Sequence, residues 1–228
     1  MKAIQYNRFG GPEVLEYVDV PVPSPGAGEV LIETTAVGVN FPDVRERLGI
    51  YNQKETRVGG VTLPQIGGVQ VVGKVVDAGS GVSADLRGRK VMAIMIKGAY
   101  AQFAVAQTIM TVTLADDADD VVMASLPMQG TTAYLSLKEL ARIQPGDSVL
   151  VQGAAGGVGS LAVQIAKALG AGFVVGTASS EERRAFVRDL GADLAIPYDT
   201  SEWPQEVLLH TDGLLRRHQY TVDVLGAA

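Results

Sequence analysis

Cysteine is missing from all 228 residues. That absence removes disulfides, a thiolate nucleophile and every cysteine-ligated metal site. Histidine is scarce too: His210 and His218 are the only two, and an isolated histidine is more often a surface residue than a ligand or base. No dense block of Lys or Arg interrupts a chain of formal charge −6. The electrostatic footprint of a nucleic-acid or anionic-membrane partner is therefore lacking. Met1 to Arg8 has no signal-peptide apolar run, and no stretch approaches the roughly 20 apolar residues of a membrane span. The acidic run Asp116-Asp117-Ala118-Asp119-Asp120 lacks the alternating ligands and glycine of a calcium loop, and reads as a solvated loop and helix cap. These absences predict a cytoplasmic protein whose partners are small molecules, with no nucleic acid and no membrane.

What is present centres on one stretch. Ser148 to Gln152 is a short apolar run after the turn dipeptide Pro145-Gly146, and Gly153-Ala154-Ala155-Gly156-Gly157-Val158-Gly159 follows it. Val158, Leu161, Ala162, Ile165 and Leu169 then recur at helical spacing up to the stop at Gly170, and Phe173-Val174-Val175 begins a second strand. Strand, glycine turn, helix and strand in that order make the first half of a dinucleotide-binding βαβ unit. A tight turn there lets backbone N–H groups approach a pyrophosphate at the positive end of a helix. Gly156 and Gly159 occupy the second and third places of G-x-G-x-x-G, with Ala154 in the first.

With 47% hydrophobic residues, the chain has material for one or two domains. Residues 1–120 carry β-branched runs broken by turn signals, at 30–34, 69–76 and 90–95, with one short helical turn from Asn40 to Gly49. Such spacing predicts a compact β-barrel-like domain. Residues 121–228 turn helical: Val121 to Leu126, then Thr131 to Arg142. Ser179-Ser180-Glu181-Glu182 reads as a capping box before a helix from Arg183 to Leu190. A third strand is expected at Leu194-Ala195-Ile196, a helix from Ser201 to His210, and a fourth strand from Val222 to Leu225. The fold class is α/β, and four strands joined by helices should order 3-2-1-4.

The motifs Phe9-Gly10-Gly11-Pro12-Glu13-Val14-Leu15, Val37-Gly38-Val39-Asn40-Phe41-Pro42-Asp43, Leu126-Pro127-Met128-Gln129-Gly130-Thr131-Thr132-Ala133-Tyr134 and Ala154-Ala155-Gly156-Gly157-Val158-Gly159 carry a resemblance. The chain resembles the quinone oxidoreductase (zeta-crystallin-like) branch of the medium-chain dehydrogenase/reductase superfamily. The resemblance implies a GroES-like β-barrel catalytic domain over 1–120 and a C-terminally shortened Rossmann domain over 121–228 that binds NADPH. It also implies direct hydride transfer to quinones or to the C=C bond of α,β-unsaturated carbonyl compounds, an acyl-thioester enoyl reductase being a variant. The catalytic zinc ligands of other members fall at Asn40, Val69 and about Gln129, so no metal is expected.

By the same resemblance Asn40 lies beside the nicotinamide or substrate carbonyl, and Tyr51 borders the substrate cleft. Gln129 and Thr132 contact the cofactor. Ala155, Gly156, Gly157 and Val158 cradle its pyrophosphate, and Ser179, Arg183 and Tyr198 surround its 2′-phosphate. Blander roles compete: Asn40 can satisfy loop backbone, and Tyr51 can simply pack. Ser179 can cap the helix with Glu182, and Arg183 and Arg184 can be its solvated face. The region Gly176-Thr177-Ala178 has no carboxylate at the strand end to reward a free 2′-hydroxyl, which favours NADPH over NADH. Arg45 stands where the family often has an aromatic, Gln70 where it has an acid, and residues 52–62 make a longer segment. A full Rossmann sheet needs about two strands beyond Leu225. The alternative is therefore a truncated or vestigial NADPH-binding protein with little or no activity, whose exposed edge strand makes a homodimer possible.

Overall fold

The computed structural model describes residues 1–52, 61–199, 203–210 and 219–223. The chain divides into two compact units, Met1–Met128 and Gln129–Ala228. This division falls later than residue 120.

In the first unit the strands are β1 (Lys2–Tyr6), β2 (Glu16–Asp19) and β3 (Glu29–Val37), followed by the helix α1 (Phe41–Arg47). Then come β4 (Gln65–Ile66), β5 (Gln70–Ala78), β6 (Lys90–Ile94), β7 (Phe103–Gln107), β8 (Thr111–Thr113) and the short helix α2 (Asp120–Ala124). Five antiparallel strands order β7-β3-β5-β6-β8, and β2-β1-β4 form a separate small sheet. Two register shifts between β3 and β5 curl the larger sheet into a half-barrel. Strand alternation decides its two faces. Val71 and Val75 point to a core shared with Val30, Ile32, Val91 and Ala104. Val72 points the other way, against Leu114 and Ala124, so α2 packs on the first unit. Strands β1, β2, β4, β7 and β8 were not expected from the sequence.

The second unit starts within α3 (Pro127–Tyr134), which widens into a π-helical stretch at Leu135–Leu140. Arg142, at φ 55°, ends it in the left-handed region. The expected helix from Thr131 to Arg142 therefore begins earlier and is not uniform. Next come β9 (Ser148–Gln152), α4 (Gly157–Ala168), β10 (Phe173–Thr177), α5 (Glu181–Asp189), β11 (Leu194–Ile196), α6 (Trp203–His210) and β12 (Gln219–Asp223). The parallel sheet orders β11-β10-β9-β12, the expected 3-2-1-4. Its last strand starts three residues before the expected Val222, and Val224 and Leu225 lie outside the described residues. Ser201, at the expected start of α6, lies outside them as well. Both faces of the sheet are covered, which explains why its strands read as continuous apolar runs. Val149, Val151 and Val174 meet Ala162, Val163, Ala166 and Val187 on one face. Leu150, Val175 and Ile196 meet Val207 on the other.

Candidate active site

Gly156 is the N-cap of α4, with an extended backbone, and Gly157, Val158 and Gly159 form the first turn. First-turn amides of a helix have no partner within it and concentrate positive potential. Gly156 and Gly157 are exposed, whereas Ala154 is fully buried. Ala155 and Val158 pack partly against the core, so their contribution to a ligand is through backbone. Two glycines are required for different reasons. A Cβ on Gly159 would stand 2.3 Å from the Gly153 carbonyl oxygen, so only glycine lets helix and strand approach this closely. A Cβ on Gly157 would meet nothing nearer than the Gln129 Cγ at 3.3 Å, leaving its outer side open to a ligand. Gln129 therefore lies against the turn, and Thr132, three residues on in α3, shares its face and is exposed. This cradle of amides fits a pyrophosphate.

At the end of β10 the structure corrects one expectation. Ser180, not Ser179, caps α5: its Oγ accepts from the Arg183 backbone N–H at 3.3 Å. The Ser179 hydroxyl is instead met by the Arg183 guanidinium, whose Nη1 donates to Ser179 Oγ at 3.3 Å. A hydroxyl and an exposed guanidinium thus sit together past the strand end, a donor set suited to a phosphate. Tyr198 follows β11, whose Ile196 pairs with Thr177 of β10, so it lies past the same end of the sheet. Arg184, read from the sequence as solvated helix face, is instead only 18% exposed. Arg184 Nη1 donates to the carbonyls of Ala178 at 3.2 Å and Ser179 at 3.4 Å, and its Nε pairs with Glu181 Oε2 at 3.0 Å. The other Glu181 oxygen pairs with Arg188. Arg188 first, then Arg184, hold the Glu181 carboxyl below its ordinary range.

In the first unit Asn40 is the N-cap of α1 and 5% exposed. Its backbone N–H donates to Asp43 Oδ2 at 2.7 Å, while its side-chain Nδ2 donates to the same oxygen at 3.2 Å and to the Gly38 carbonyl at 3.4 Å. Asp43 Oδ2 also accepts from the Tyr100 hydroxyl at 2.7 Å. Asp43 is thus the residue that orients Asn40. The N-x-x-D spacing was a readable signal for it, but Tyr100 is 57 residues away and left none. Burial, then the hydrogen bond to Asp43, push the Tyr100 phenol far above its ordinary value.

Tyr51 lies beyond the other end of α1, in a single turn at Ile50–Asn52, with the Arg45 guanidinium 5.9 Å from its ring centroid. The aromatic position filled by Arg45 is therefore used for a cation–π contact. Residues 53–60, most of the longer segment at 52–62, lie outside the described residues. A cavity of about 580 Å³ in this unit is lined by Ala3, Ile4, Val37, Val44 and Tyr100, among others, and neither Asn40 nor Tyr51 lines it.

Comparison with known proteins adds to this geometry. Residues 26–116 match the family profile described as alcohol dehydrogenase GroES-like domain, and residues 157–228 match that of zinc-binding dehydrogenase. Rat quinone oxidoreductase is 41% identical over 194 residues, covering 84% of this chain and 57% of the relative. A Burkholderia 2-haloacrylate reductase is 37% identical over 210 residues, covering 91% and 62% respectively. The solved structure of Escherichia coli quinone oxidoreductase complexed with NADPH superposes with a TM-score of 0.84 at 30% identity, covering 93% of this chain and 63% of that one. The chain thus spans less than two thirds of the length of these relatives. The name of the second profile implies zinc, but the residues here do not fit it. By the resemblance the ligand positions fall at Asn40, Val69 and about Gln129, which offer two amides and a valine in place of thiolate and imidazole. Among the described residues no group of three or more His, Asp or Glu could hold a metal ion.

Proposed function

The chain belongs to the quinone oxidoreductase branch of the medium-chain dehydrogenase/reductase superfamily, and on that premise we propose that it is an NADPH-dependent, zinc-independent reductase of quinones or of α,β-unsaturated carbonyl compounds. The observation that carries the cofactor is the Ser179–Arg183 pair at a strand end without a carboxylate. The amides of Gly157 and Val158 hold the pyrophosphate, with Gly156 and Ala155 leaving room for it. Gln129 and Thr132 border the same turn from α3, and Ser179, Arg183 and Tyr198 take the 2′-phosphate. NADPH bound there supplies a hydride to an electron-poor carbon.

The remaining work of the protein is orientation, exclusion of water and hydrogen bonding to the oxygen that gains charge. Asn40 is the candidate donor to that oxygen. Both protons of its Nδ2 face acceptors already, so it must release the longer contact, the Gly38 carbonyl at 3.4 Å, to do so. Asp43 keeps the side chain in place while it does. Tyr51 is the candidate for binding or protonating product.

The test is to measure NADPH binding and NADPH consumption on one preparation, against a small panel of quinones and enones. Binding with consumption is the expected result. Binding without consumption favours the non-catalytic NADPH-binding alternative, and no binding overturns both. For the cofactor, Arg183→Ala should narrow the preference for NADPH over NADH. A charge-assisted contact of about 1 to 3 kcal/mol corresponds to roughly fivefold to somewhat over a hundredfold in affinity. Equal dissociation constants for the two cofactors in the unmutated chain would rule the NADPH assignment out.

A further inference from the structure

We infer that Arg184 is a positioning residue for 2′-phosphate recognition: without touching the phosphate, it anchors the backbone that presents Ser179 and holds the Glu181 carboxylate away from Arg183. The inference rests on the NADPH reading above.

The first turn of α5 contains two acids, Glu181 and Glu182. Acids there stabilise the helix start, but they stand within two to three residues of the Ser179 hydroxyl. A dianionic phosphate bound at Ser179 and Arg183 would lie inside the ~8 to 10 Å over which salt leaves charges unscreened. Repulsion would then offset part of what Arg183 contributes.

For Glu181 the structure answers that conflict with two guanidinium groups. Arg184 takes Oε2 of Glu181 and Arg188 takes Oε1, so neither carboxylate oxygen is left without a cation. Residues 181, 184 and 188 lie on one helix face. Arg183, two residues past Glu181, projects about 200° round the axis from it. Arg184 keeps the acid on the face away from the Ser179–Arg183 pair. It is also the less exposed member of the ion pair, at 18% against 68% for Glu181, because its Nη1 reaches back to the carbonyls of Ala178 and Ser179. Those two residues are the backbone between β10 and the helix cap. Fixing them fixes where the Ser179 hydroxyl stands.

Dissociation constants for NADPH and NADH, by calorimetry, on the unmutated chain, Arg184→Gln, Glu181→Gln and the double variant decide the matter. Arg184→Gln should lower the NADPH-to-NADH affinity ratio about threefold to fivefold while moving the NADH constant less than about twofold, the upper part of the range of one partly exposed charged contact. Adding Glu181→Gln should restore part of that ratio by removing the carboxylate that Arg188 alone would then hold. Arg184→Lys keeps one charge but not both contacts. It should give a smaller drop, and it replaces Arg184→Gln should that variant fail to fold. Equal weakening of both cofactors would show a merely structural role and overturn the inference. So would an unchanged ratio, or a double variant no better than Arg184→Gln. A chain with no preference for NADPH before mutation would instead sink the cofactor reading itself, so the two failures are distinguishable.

Discussion

Gln70 shows how tightly a single side chain can be specified. Fully buried in β5, it donates from Nε2 to the Ala124 carbonyl at 2.7 Å and accepts at Oε1 from the Met128 N–H at 2.9 Å. A neutral amide does both at any pH, whereas a carboxyl group does so only while it is protonated. An acid at this position presents a lone pair to the Ala124 carbonyl unless it keeps its proton. Gln70→Glu should therefore destabilise by about 1 to 3 kcal/mol, with a strong pH dependence. The protonated acid can donate to Ala124, so its folded pKa rises above the ordinary ~4.3. Stability is then retained below that ordinary value and lost as pH rises through the folded one. Urea unfolding against the unmutated chain at about pH 4.5 and pH 8 should show the larger deficit at pH 8; equal deficits would contradict this.

Two phenols, Tyr6 buried and Tyr100 half-buried, make a second pH prediction. Tyr100 is bound to Asp43 and Tyr6 donates to Glu46 Oε1 at 2.9 Å. Burial first, then the hydrogen bond to its carboxylate, raises each phenol above its ordinary value of about 10. Their contribution is complete below about pH 10 and is lost as pH rises further, because the unfolded chain ionises them first. The unfolding midpoint should fall more steeply above pH 10 in the unmutated chain than in Tyr100→Phe. Parallel curves would deny the Asp43–Tyr100 bond.

At the scale of elements, the strand-turn-helix separates glycines needed for folding from those needed for binding. A Cβ on Gly159 meets only backbone, Gly153 O at 2.3 Å and Ala154 Cα at 2.8 Å, and backbone cannot yield cheaply. Gly159→Ala should cost about 1 to 3 kcal/mol of stability or more. Gly157→Ala meets only the Gln129 side chain at 3.3 Å, so it should leave the unfolding midpoint nearly unchanged. Its new methyl group occupies the side from which a pyrophosphate approaches. Nucleotide affinity should fall in that variant while stability holds, as thermal unfolding and calorimetry can measure on the same sample. Loss of stability in Gly157→Ala, or none in Gly159→Ala, would reverse the assignment.

At the scale of the molecule, the proposed phosphate contacts all lie in Gln129–Ala228. The ligand 2′,5′-ADP carries those phosphates without the nicotinamide. It should protect 152–160 and 177–184 from hydrogen exchange and leave the five-stranded sheet of the first unit unchanged. Protection spread evenly over both units would argue against this location. Turnover, where measured, should survive exhaustive chelation, since the resemblance puts Asn40, Val69 and about Gln129 where zinc-dependent relatives have their ligands, and none of these can replace a thiolate or imidazole. Loss of activity restored by added zinc would contradict the metal-free reading.

The sequence by itself determined the strand-turn-helix, the 3-2-1-4 order and the presence of a β-rich first half, because glycine turns and apolar periodicity act over a few residues. It also placed Ser179 beside Arg183, four residues on. Tertiary structure alone decided which serine caps α5, and so left Ser179 facing the Arg183 guanidinium. It likewise decided that Gln70 spans to Ala124 and Met128, that Arg184 reaches back to Ala178, and that Asp43 takes the hydroxyl of Tyr100. Such hydrogen bonds choose among chemically equivalent donors by position in the packed fold, and spacing along the chain carries no record of that choice.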